Sequence, residues 1–90
     1  MKRETLESCL HQEAWSIKEG RCEVPESATL SLIISSGFAP WTIDEVRGLS
    51  LGEHHLSVDL DEARYHLAYE SLSAIKIVKT KKSTSAGFGR

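Results

Sequence analysis

The stretch WTIDEVRGLSLG, residues 41–52, decides what kind of domain this chain forms. Thr42 and Glu45 have capping-box spacing and could open a short helix with Ile43, Val46 and Leu49 turned inward. The same residues read equally as extended chain. Trp41 and Ile43 alternate with polar neighbours, and after Gly48 the alternation resumes at Leu49 and Leu51, as in a strand bent at a glycine. The strand is the favoured reading; a helix here would exclude a small barrel and leave only a general α+β class.

The flanking segments carry the same period of two. Upstream, residues 29–35 place Leu30, Leu32 and Ile34 on one face with mostly hydroxyl side chains on the other. Downstream, Leu56, Val58 and Leu60 share a face over 54–60, and Tyr65, Leu67 and Tyr69 share one over 64–70. The polar Asp61-Glu62-Ala63 between them predicts a hairpin. After Ser71, residues 72–78 form a last strand with Ile75 and Ile77 inward. Residues 4–19 differ: Leu6, Cys9, Leu10, Ala14 and Ile17 recur at spacings of three and four, the stripe of an amphipathic helix. Glu4 and Glu7 suit its first turn, Lys18 its last, and Gly20 its left-handed cap. Trp15 lies off the stripe, as a lid over the body or a contact with another subunit. Arg21 to Ser27, with Pro25, reads as a connector.

The expected fold is therefore α+β, an N-terminal amphipathic helix followed by a strongly bent four- to five-stranded antiparallel sheet or small barrel. One domain spans 1–79 and a basic flexible tail spans 80–90. The chain has 90 residues and is 40% hydrophobic, too little buried volume for two cores. A sheet this short has open edges, which must be covered or paired with another chain, so a homo-oligomer is expected.

Charge is unevenly distributed. The total is −2, but Lys76, Lys79, Lys81, Lys82 and Arg90 follow Ser71 without a single acid, leaving an acidic body before a basic end. Those cations could neutralise about 4–5 phosphates, enough for weak, salt-sensitive binding of RNA and not for sequence reading. The acidic body would repel the same polyanion. The apolar run of a signal peptide does not follow Met1-Lys2-Arg3, so a cytoplasmic location, reduced thiols and no membrane association are expected. Cys9 and Cys22 read as small apolar fillers.

The order of elements is similar to that of Sm-like proteins, including bacterial RNA chaperones of that class, in which a helix precedes a bent five-stranded barrel. The local match is Tyr69-Glu70-Ser71-Leu72-Ser73-Ala74-Ile75-Lys76-Ile77-Val78, which looks like that family's second motif, where a tight turn and a last Ile/Val strand pair neighbouring subunits. Upstream, Ser36-Gly37 stands where a loop glycine is found, but no second glycine follows at the family's spacing and the Asp plus Asn pair of its uridine pocket is absent. The resemblance implies a small barrel of Sm-like or SH3-like type that assembles as a ring and binds single-stranded RNA, with Phe38 and Tyr69 as stacking groups.

Chemistry-bearing clusters are sparse. His54, His55 and His66 invite a metal reading, yet neighbours on a strand point to opposite faces, so His54 and His55 cannot both meet His66. Serines and histidines are abundant, but none sits in a nucleophile elbow, and Asp44, Glu45, Asp59, Asp61 and Glu62 fall on turns. Gly87-Phe88-Gly89-Arg90 is one fragment of an arginine/glycine segment. The expectation is a non-catalytic binding or assembly module with no cofactor and no metal. Its candidate interface residues are Trp15, Phe38, Trp41, Ile75 and Ile77. RNA binding through Phe38, Tyr69, Lys79, Lys81, Lys82 and Arg90 is the alternative, and a small metal-dependent enzyme the third.

Overall fold

The computed structural model describes residues 1–35, 37 and 39–79. Phe38, Lys81, Lys82, Arg90 and the expected tail at 80–90 lie outside the described residues. The elements in order are α1 (Arg3–Gln12), β1 (Ile17–Lys18), β2 (Arg21–Glu23), β3 (Ala28–Ile34), β4 (Trp41–Val46), β5 (Gly48–Leu51), β6 (His55–Asp59), β7 (Arg64–Ala68), a 3-10 turn (Tyr69–Ser71) and β8 (Leu72–Lys79). All pairings are antiparallel, in a five-stranded sheet ordered β1-β2-β5-β6-β7 and a three-stranded sheet ordered β4-β3-β8. The α+β class holds.

The deciding stretch is extended. Its two halves belong to different sheets, β4 beside β3 and β5 between β2 and β6, with Arg47 at the bend. Arg47 stays hydrogen-bonded through the bend: its N–H donates to Asp59 O at 2.7 Å and its carbonyl accepts from Val24 N at 2.9 Å. A bulge lies just before it. Leu30 pairs with Val46 and Leu32 with Ile43, so Asp44 and Glu45 together oppose Ser31, and Glu45 takes φ 58°. That extra residue brings Val46 onto the core face with Ile43, and the bend at Arg47 restores the original phase, so that Leu49 and Leu51 are buried as well.

Two expectations need correction. The helix ends at Gln12, not Glu19, because the backbone turns left-handed at Ala14 (φ 65°). Ala14 N donates to His11 O at 2.9 Å and Trp15 N to Leu10 O at 3.1 Å, the paired bonds of a Schellman stop. The accompanying apolar contact turns Trp15 toward Leu10, so Trp15 is a core residue only 9% exposed and not the exposed aromatic its position off the stripe suggested. Residues 17–23 then form a hairpin in place of a helix end and connector, with Ile17 opposite Cys22 and Lys18 opposite Arg21. Gly20, expected as a helix cap, instead makes a two-residue turn with Glu19. Their φ values of 79° and 51° fit the primed turn that matches strand twist. This hairpin and the split of residues 41–51 raise the strand count from the expected four or five to eight among the described residues.

One core joins α1 to both sheets. Leu6 and Leu10 of α1 are fully buried with Leu30, Leu32, Leu49, Leu56, Val58 and Leu72, and Cys22 fills space among them as expected of a small apolar side chain. Burial pushes the Cys22 thiol pKa up. Ile75 and Ile77 face inward beside Leu32 and Leu30 and are half-buried. The sheets do not join into a barrel by backbone pairing among the described residues: β1 and β7 are edges of one, β4 and β8 of the other.

Candidate functional site

Among the described residues, the expected interface residues Trp15, Trp41, Ile75 and Ile77 do not converge on a single patch. Trp15 is inside, Ile75 and Ile77 line the core under β8, and Trp41 is 40% exposed on β4. The ring next to Trp41 is Tyr65, with centroids 5.7 Å apart and a tilt of 58°. Tyr65 is paired with the buried Val58, and Trp41 alternates with the buried Ile43, so both rings project from core-facing positions of edge strands. They meet where β4 and β7 approach, a lip of the core that neither sheet covers. Such a tilted pair contributes about 0.5–1.5 kcal/mol beyond its buried area. The sequence reading placed Tyr65 on the inward face of its strand but gave it no role, since the partner comes from the other sheet.

Of the RNA-contact candidates, Tyr69 and Lys79 lie among the described residues, and both engage partners within the chain. Tyr69, half-buried in the 3-10 turn, donates its hydroxyl proton to Gly52 O at 2.6 Å, and burial raises its phenol pKa. Lys79 Nζ lies 3.0 Å from Glu13 Oε1, tying the end of β8 to the end of α1. Part of the basic balance at the end of the chain therefore answers the chain's own acids.

The densest polar arrangement lies on the outer face of the five-stranded sheet. The registers place Arg21, Ser50, Ser57 and His66 in one row, and Glu23, Gly48, Asp59 and Arg64 in the next. Arg21 donates to Asp59, to Ser50 Oγ at 3.0 Å and to Glu23 Oε2 at 2.7 Å, while Arg64 Nε donates to Asp59 Oδ1 at 2.5 Å. The two guanidiniums, Arg21 first and then Arg64, hold the Asp59 carboxyl below its ordinary range, and Glu23 and Asp59 raise Arg21 further above an already high value. Gly48 lets the arginine lie flat, since a Cβ there would sit 2.3 Å from the Arg21 guanidinium.

In the adjoining row Ser57 Oγ lies 3.0 Å from His66 Nδ1, a hydroxyl–imidazole pair. The carboxylate that could orient such a base is engaged elsewhere, because both Asp59 oxygens accept from arginines. An open groove of about 310 Å3 runs between Asp44, Glu45 and the loop Leu60 to Ala63, with Arg47 bridging to Asp61 at 3.0 Å. Among the described residues no three His, Cys, Asp or Glu side chains gather closely enough to hold a metal ion, and no helix is long and apolar enough to cross a membrane. His54, expected at the start of a strand over 54–60, instead precedes β6, and its side chain is 88% exposed.

Comparison with protein-family models, with curated proteins and with solved structures finds no match for the chain.

Proposed function

We propose that this chain is a non-catalytic cytosolic binding and assembly module whose copies associate through sheet edges and the side chains exposed along them. One observation carries the reading: among the described residues the large apolar side chains left exposed are Trp41, Tyr65 and Val78, and each lies on an edge strand, β4, β7 and β8. An edge offers unpaired N–H and C=O groups, and apolar side chains beside them add area that a second strand can cover. A 90-residue domain buries a modest share of its surface and gains stability from such pairing. Light scattering coupled to size-exclusion chromatography tests this. The expected result is a mass above that of one chain, growing with concentration, and a stable monomer at high micromolar concentration overturns it.

A second reading, an Sm-like ring binding single-stranded RNA, is favoured by the order of elements: a leading helix, a strand that crosses between sheets at Arg47, a hairpin, and a last strand reached through one 3-10 turn. The ion pairs Arg21–Asp59, Arg47–Asp61 and Lys79–Glu13 weigh against a polyanion held by charge. Fluorescence anisotropy with uridine- and adenosine-rich oligomers at physiological salt separates the two, since an assembly module gives no shift.

A further inference from the structure

We propose that His55 and His66 form a two-histidine site for a divalent transition ion, with Cu2+, Ni2+ and Zn2+ as the matching chemistry. His55 on β6 and His66 on β7 occupy the outer face of the five-stranded sheet, with ring centroids 5.4 Å apart and planes inclined by 60°. Two imidazoles on one ion, at metal–nitrogen distances of about 2.0–2.1 Å and a near-tetrahedral angle, have ring centres about 5 Å apart. The native spacing is therefore already close to that of a chelate.

The registers explain why the rings can meet. His55 is opposite Ala68 and Ser57 is opposite His66, so the histidines occupy one diagonal of a square and two small residues the other. Nothing bulky stands between the rings. Ser57 Oγ also engages His66 Nδ1 at 3.0 Å, which holds the ring orientation and leaves Nε2 as the coordinating nitrogen, the usual division of labour in a histidine ligand. Two side chains leave the remaining positions on the ion to water or to groups from another molecule. The site thus differs from a closed structural centre, and it stands independently of self-association.

Borderline imidazole ligands favour the late first-row ions, with Cu2+ bound most tightly, then Ni2+, and Zn2+ below Cu2+. The test is titration of the full chain with CuCl2, NiCl2 and ZnCl2 in a non-coordinating buffer, followed by calorimetry, for the parent and for H55A, H66A and H54A. The parent is expected to bind Cu2+ most tightly. Either H55A or H66A should weaken that binding by on the order of 100-fold, because the second ligand then no longer acts at high effective concentration. H54A should bind as the parent does. In two-dimensional NMR, substoichiometric Cu2+ should broaden amide signals around residues 55 and 66 first. All three positions are exposed, so the variants are expected to keep the fold. Absence of Cu2+ binding at millimolar concentration, equal binding by H55A or H66A, or broadening centred elsewhere each overturns the proposal.

Discussion

Asp59 shows how one side chain organises a sheet face. Its carboxylate lies between Arg21 and Arg64, reached from β2 and from β7, so it links strands on both sides of β5 and β6, and its side chain is only 16% exposed. Charge-assisted bonds at this depth exceed those of surface pairs, though the more open Arg64 lowers the total through solvent screening. Asp59→Asn is expected to cost about 1–2 kcal/mol at neutral pH, read as a lower Tm. The pH dependence has a definite sign. A carboxyl held below its ordinary 3.8 when folded contributes stability that is complete above about pH 5 and is lost as acid protonates the folded group. The parent should therefore lose Tm steeply below about pH 4 and the Asn variant less steeply, the two curves converging in acid. Asp61 makes the contrast: its pair with Arg47 is open to solvent on both sides, so Asp61→Asn should leave Tm unchanged. The acids and arginines were visible in the chain, but which pairs form depends on strand register.

At the scale of elements, α1 ends where its stop bonds place it and not where its apolar stripe ends. Ala14 takes the left-handed conformation that glycine occupies without cost, while Gly20, the residue that looked like the stop, serves a hairpin turn. Ala14→Gly is expected to raise stability by about 0.5 kcal/mol, a Tm increase of about 2–4 °C by thermal unfolding, with no change in helix content. No Tm change, or a fall, would mean that the stop does not carry strain. The strands were legible because period-two alternation marks β3 and β6 directly: Leu30, Leu32, Ile34, Leu56 and Val58 are all buried as that pattern requires, whereas in β8 a register shift beside Ile34 buries Leu72, out of phase with the inward Ile75 and Ile77. The stripe of residues 4–19 continued past the true helix end because Ile17, opposite the buried Cys22 in a hairpin, packs against the same core. Helical spacing and hairpin pairing can place apolar residues at the same positions.

At the scale of the molecule, two sheets share a core but, among the described residues, keep four edge strands, and the large apolar side chains exposed there follow those edges. If the edges carry assembly, Val78→Lys on β8 should reduce the mass measured at a given concentration while leaving Tm within the range of neutral surface changes, since Val78 is 49% exposed. An unchanged mass would remove β8 from the interface. Size, the α+β class, the bend in residues 41–51 (expected at Gly48 and found one residue earlier, at Arg47) and most of the core were set by local pattern, because burial imposes its period wherever a strand lies against an apolar layer. The β1–β2 hairpin, the meeting of Trp41 with Tyr65, the Arg21–Asp59–Arg64 bridge and the closeness of His55 to His66 were decided by tertiary structure. Each joins residues from different strands, and the register that brings them together is chosen by the packing of the whole core.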